Sequence, residues 1–302
     1  MKSNCTTVSL VEVGPRDGLQ NEPAKVDLQL KLSLIDSLAR SGIRRIEAGA
    51  FVHPTKVPQM ADSDLLFQQL IKRPGVRYSA LVPNLKGAER AAELPVDEIA
   101  IFVAASEEFS QRNINASIAE SMLQFHQVIE KSLAKGLPVR GYISCALGCP
   151  FTGEVPPKNV VGLAEELLSL GCYEVCLADT IGIGTTKSTE LLIQACLGRS
   201  LPASKLAVHL HDTYGQALAN SKVALDMGIR TFDAAIAGLG GCPFAPGATG
   251  NLATEDLVYM LEGAGFSTGV DLDMLAKIGE KISLSLNRNN SSRTGSALSR
   301  KT

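Results

Sequence analysis

Eight short runs rich in Val, Ile and Leu recur along the chain, at 7–13, 43–49, 77–82, 98–104, 139–145, 173–179, 206–212 and 231–237. Amphipathic stretches lie between them. Strands buried on both faces read as near-continuous apolar runs, and their alternation with helices is the mark of βα units and a parallel sheet. The stretches 27–42, 117–136, 159–171 and 215–228 carry apolar residues at helical spacing, and each ends at Gly, which suits a C-cap with positive φ. Eight strand–helix units in 302 residues make a closed α/β architecture, a TIM (β/α)8 barrel, the expected fold. A doubly wound open sheet is the alternative. No linker, charge block or low-complexity segment divides the chain before the polar stretch "NRNNSSRTGSALSRKT" at 287–302, which lacks apolar periodicity. One barrel domain over 1–286 and a polar tail over 287–302 are therefore expected.

Partners are bounded by composition. With 45% hydrophobic and 20% charged residues and a net charge of −2, the chain is that of a globular protein without a broad basic surface. Neither nucleic acid nor membrane is an expected partner. The N-terminal "MKSNCTTVSLVEVGPRDG" has no apolar signal core, and no run of 18 apolar residues occurs, so a cytoplasmic chain is expected. Seven cysteines, at 5, 145, 149, 172, 176, 196 and 242, are an odd number and argue for reduced thiols over a disulfide framework.

In a parallel barrel the reactive groups belong at the carboxyl ends of the strands. After the first strand comes "GPRDGLQNE", with Arg16, Asp17, Gln20 and Glu22. The second strand ends with Glu47, the sixth with Asp179, and the seventh with His209, His211 and Asp212. A Gly-rich loop with Cys242 and Asn251 follows the eighth and reads as an active-site lid. His209 and His211 are two apart in a strand and so share a face. An Asp with two His and a carboxamide oxygen suits a divalent cation, Mg²⁺, Mn²⁺, Co²⁺ or Zn²⁺, and leaves positions for substrate oxygens. Blander readings stand beside these. The histidines also fit as a satisfied strand pair, and Asp17 and Glu47 as ion-pair partners of Arg16. Asp179 fits equally as a turn cap. Cys242, among glycines, is favoured as a reactive thiol over an inert one.

These residues resemble those of the 3-hydroxy-3-methylglutaryl-CoA lyases, metal-dependent barrels with an Arg-Asp-Gly motif after the first strand. The resemblance covers nearly the whole chain. Its pieces are "VGPRDGLQNE" (13–22), "VPQMAD" (57–62), "NINASIAES" (113–121), "SCALGCP" (144–150), "DTIGIGT" (179–185), "HLHDTYGQALAN" (209–220) and "AGLGGCPFAPGATGNLATEDLVYMLEG" (237–263). It implies that Asp17, His209, His211 and Asn251 are cation ligands, with Mg²⁺ or Mn²⁺ foremost. It makes Arg16 the enolate-stabilising arginine, Cys242 the lid cysteine, and Glu47 and Asp179 acids that support the ligands from behind or transfer protons. Gly49-Ala50 and Thr55-Lys56 stand where the family tends to carry small hydroxyl residues and a Lys-Trp pair, and this departure is expected to lie beside the acyl pocket.

The implied reaction is retro-Claisen cleavage of 3-hydroxy-3-methylglutaryl-CoA to acetyl-CoA and acetoacetate, as in leucine degradation and ketone body formation. An acyl-CoA is then the partner and a homodimer the assembly. Asp17 or His211 would take the C3 hydroxyl proton. Lyases acting on esters with longer branched chains would look much the same, and Claisen-type acyltransferases working in the synthase direction share the Arg-Asp-Gly and His-x-His elements but not the lid with Cys242. The synthases, however, usually carry a further regulatory domain for which this chain has no room. A non-catalytic barrel is disfavoured because every expected rim position is filled.

Overall fold

The computed structural model describes residues 7–23, 25–241 and 250–300. Eight parallel strands close into a barrel in sequence order: β1 (Ser9–Glu12), β2 (Arg45–Ala50), β3 (Arg77–Leu81), β4 (Glu98–Ala104), β5 (Val139–Ser144), β6 (Glu174–Asp179), β7 (Leu206–Leu210) and β8 (Thr231–Ala234). Each expected strand is present. Closure is made where β1 meets β8, with Val11 opposite Asp233 and Glu12 opposite Ala234. The TIM barrel is thus the observed fold.

Around the strands run α1 (Leu28–Arg40), α2 (Ser63–Gln69), α3 (Leu85–Ala92), α4 (Glu107–Ile114), α5 (Ile118–Ala134), α6 (Pro157–Ser169), α7 (Thr186–Gly198), α8 (Ala217–Asp226), α9 (Thr254–Gly263), α10 (Leu272–Ser285) and α11 (Arg293–Ser299). Local chemistry sets their starts. Asp27 accepts from the Leu30 amide at 2.8 Å to cap α1, and Ser117 with Glu120 forms a capping box at α5, each satisfying orphan first-turn donors.

The apolar core lies between strands and helices, where Ile35, Leu38, Phe67, Phe125, Leu167 and Ile193 are buried. The lumen is different. It is crossed by Arg45, Glu98, Arg140, Tyr142, Glu174 and Asp233, joined by hydrogen bonds and ion pairs. Buried charges persist only when so paired, because each has lost its hydration. A bulge between Glu47 and Gly49 shifts the register of β2 against β3. As a result the bare Cα of Gly49 faces Ser63 and Phe67 of α2. At Gly49, then, the departure in sequence bears on strand–helix packing.

Residues 288–292 are bound to the barrel mouth. Arg288 Nη1 donates to Glu22 at 2.5 Å, the Ser291 amide to the Ala237 carbonyl at 3.1 Å, and Ser292 Oγ to Asp256 at 2.8 Å.

Candidate active site

Strand β1 runs into a short π-helical turn, Gly14–Gly18, a geometry that widens the backbone and recurs at functional sites. The turn brings Arg16 and Asp17 over the mouth. Arg16 is buried, donates from Nε to Glu47 Oε1, and donates from Nη1 to Asp17 Oδ1 at 2.5 Å. Both carboxylates favour its charged form against the cost of burial. Burial lifts the Glu47 carboxyl above its ordinary range in spite of Arg16. For Asp17, burial acts in the same direction, but Arg16 and the two histidines outweigh it and bring the group down to about 2.

Strand β7 delivers the imidazoles. His209 Nε2 lies 3.9 Å and His211 Nε2 4.0 Å from Asp17 Oδ2, and one ligand atom from each of the three residues falls within 4.8 Å of the others. His211 is kept neutral at pH 7 by burial and by the neighbouring His209, which push it down to about 4. His209 Nδ1 is instead 3.3 Å from Asp233 Oδ2. That bond and the Asp17 charge outweigh the lowering effect of burial and raise the group.

Asn251 joins through an antiparallel bridge to His211. Its Nδ2 donates to Asp17 Oδ2 at 2.9 Å and to the Leu239 carbonyl at 3.0 Å, while its Oδ1 and the Nδ1 of His211 are buried without a hydrogen-bond partner among the described residues. Gly240, at φ +117°, lets the backbone approach, since a Cβ there would stand 2.6 Å from Asn251 Nδ2. A carboxylate, two imidazoles and a carboxamide oxygen that accepts from no described residue form a mixed N/O donor set that fits a divalent cation.

A family model described as HMGL-like matches residues 7–282. The chain belongs to the HMGL-like family. It is 53% identical over 291 residues to the hydroxymethylglutaryl-CoA lyase of Pseudomonas mevalonii, covering 96% of each chain. It is also 53% identical to the 3-hydroxy-3-isohexenylglutaryl-CoA/hydroxy-methylglutaryl-CoA lyase of Pseudomonas aeruginosa, covering 96% of this chain and 97% of the relative. The crystal structure of hydroxymethylglutaryl-CoA lyase from Pseudomonas aeruginosa superposes with a TM-score of 0.96 at 52% identity over 99% of both chains.

In this HMGL-like chain, Arg16, Asp17, Glu47, His209, His211 and Asn251 form one cluster. Asp179 stands differently. It accepts from the Ile183 and Gly184 amides at 3.2 and 2.8 Å, so it braces the loop after β6, and burial raises it to about 6 against those bonds. Cys242 lies outside the described residues, as does most of the expected lid. Sequence reading passed over Glu12, Arg140, Tyr142, Asp233 and Glu255. Glu12 Oε1 accepts from the Gly14 and Ile236 amides at 2.8 and 2.9 Å, tying the π-turn to the loop after β8. Glu255 accepts from the Ala237 amide at 3.0 Å. The signal for Arg140 and Tyr142 was their i, i+2 placement in an apolar strand, and for Asp233 its isolation in "TFDAAIA".

Proposed function

We propose that this chain cleaves 3-hydroxy-3-methylglutaryl-CoA to acetyl-CoA and acetoacetate by a divalent-cation-dependent retro-Claisen reaction. The convergence of Arg16 on the Asp17–His209–His211 cluster at the barrel mouth carries the reading. Asp17, His209, His211 and Asn251 would hold the cation, Mg²⁺ or Mn²⁺. Bound there, it supplies Lewis acidity to the C3 hydroxyl and a template for the free carboxylate. Arg16, fixed by Glu47 and Asp17, places positive charge where the thioester oxygen becomes an enolate. Its charge is felt most as the C2–C3 bond breaks, so it acts on the transition state more than on binding. The hydroxyl proton passes to Asp17 or His211. Cys242 is the proposed donor of a proton to the enolate carbon, which completes acetyl-CoA. Asp179 would act by shaping the loop after β6.

The partner is an acyl-CoA, and the family resemblance supports a homodimer. No helix among the described residues is long and apolar enough to cross a membrane, and a cytoplasmic location with a role in leucine degradation fits the reading. A second substrate is favoured by the equal identity to the isohexenylglutaryl-CoA lyase relative: a 3-hydroxyglutaryl-CoA ester with a longer branch. The test follows acetyl-CoA release from chelator-stripped protein with and without Mn²⁺, using both esters. Cation-dependent release from the methyl ester establishes the proposal. Release from the longer ester alone transfers it to the second substrate, and release from neither overturns it.

A further inference from the structure

The two histidines at the mouth are not equivalent. His211 Nδ1 is buried with no partner among the described residues, whereas His209 Nδ1 faces Asp233 Oδ2 at 3.3 Å, the two residues being register partners on adjacent strands. Asp233 is itself 2% exposed and is held from below. Arg140 donates to both of its oxygens, Nη1 to Oδ2 at 3.0 Å and Nη2 to Oδ1 at 2.8 Å, a bidentate pairing that fixes the carboxylate plane. Tyr142 adds its hydroxyl at 2.8 Å from Asp233 Oδ2 and 3.3 Å from Glu47 Oε2, and that hydroxyl accepts from Arg140 Nη1 at 2.6 Å. Arg140 is anchored in turn by Glu174 at 2.7 Å. A continuous chain of contacts thus runs from His209 through Asp233 and Tyr142 to Glu47 and Arg16.

We propose that Asp233, locked by Arg140 and Tyr142, is a positioning residue that fixes the ring and tautomer of His209 and ties its placement to that of Arg16. Resting on the reading of the mouth as a cation site, it assigns the asymmetry of the pair: His209 presents Nε2 as a pre-oriented donor and His211 does not. An acceptor on the far nitrogen of a ligating imidazole holds the proton at Nδ1 and leaves the Nε2 lone pair free. Arg140, Tyr142 and Asp233 are all buried, so they act through His209 and Arg16.

The test uses full-length protein freed of cation, and Asp233→Asn and Tyr142→Phe variants. In ¹⁵N-histidine spectra, wild type is expected to show His209 as the Nδ1–H tautomer, and Asp233→Asn to lose that state, since a carboxamide can turn its NH₂ toward the ring. Mn²⁺ affinity, read by water-proton relaxation, should fall about 10–100-fold, and kcat should fall more than KM rises. An unchanged tautomer and Mn²⁺ affinity in a cooperatively melting Asp233→Asn protein overturns the proposal. Should that variant not fold, Tyr142→Phe decides, because it leaves the Arg140–Asp233 pair intact: a several-fold loss of Mn²⁺ affinity supports the proposal and an unchanged affinity overturns it. If wild type itself neither binds Mn²⁺ nor cleaves the thioester, the functional reading fails, while the tautomer comparison, which needs no cation, still judges Asp233.

Discussion

Arg16 combines burial with a fixed orientation, since Glu47 takes its Nε and Asp17 its Nη1. A lysine there keeps the charge but loses the planar fork, so it cannot hold both carboxylates and also face a substrate oxygen. Arg16→Lys is expected to lower kcat by about 100-fold or more, the usual scale for losing one donor to a developing oxyanion, with a thermal midpoint near wild type. Turnover equal to wild type would remove Arg16 from the reaction. Glu255 makes a different prediction. Buried against the Ala237 amide, it ionises only near pH 8 in the fold, burial being the main cause, but at the ordinary carboxylate value when unfolded. Between those pH values the native chain holds a proton that the unfolded chain has released. Its stabilising contribution is therefore complete below about pH 4.5 and is lost as pH rises through 8. Glu12, lifted by burial to about 7, acts in the same direction. Thermal midpoints measured from pH 5.5 to 8 should fall, and fall less in Glu255→Gln, whose side chain does not titrate. Parallel profiles would show that Glu255 is ionised throughout.

At the level of the elements, strands and helices carry separate duties. The helices supply the apolar core, with α1 burying Leu34, Ile35 and Leu38 against the strands, whereas the lumen side of the strands carries the polar chemistry. Leu38→Ala, distant from the mouth in this arrangement, should cost about 2–5 kcal/mol of stability and leave the turnover of the folded fraction unchanged. A denaturant titration read beside an activity assay checks both halves, and a loss of turnover without a loss of stability would contradict this division. The short π-turn after β1 and the loop after β8 are the elements that bend this rule, because Glu12 holds both with one oxygen.

Across the whole molecule, the closing of the chain on itself matters as much as the barrel. Residues 288–294 bind Glu22 beside the β1 turn, Ala237 beside the loop after β8, and Asp256 at the start of α9. Ending the chain at Leu286 removes these contacts together and uncovers the buried Ala237. Such a protein should melt several degrees lower and bind Mn²⁺ more weakly than wild type, because Asn251 is held by Leu239 only two residues further on. A truncated chain with full stability and full affinity would show that the polar stretch is dispensable.

Most of the architecture was legible in one dimension, since alternating apolar runs and helical periods are local properties, and eight of them leave a parallel sheet little choice but to close. The mouth residues were legible for a related reason: Asp17, His211 and Asn251 follow β1, β7 and β8, and Glu47 and His209 are polar residues within β2 and β7, the segments from which the fold class draws its mouth. Asp233, Tyr142 and Arg140 were not, because each reads singly as a polar interruption in an apolar strand. Their partners lie 91 residues away for Tyr142 and Asp233 and 93 for Arg140 and Asp233. Only barrel closure, which sets β8 between β7 and β1, turns those interruptions into one buried network and gives His209 its acceptor, Asp233.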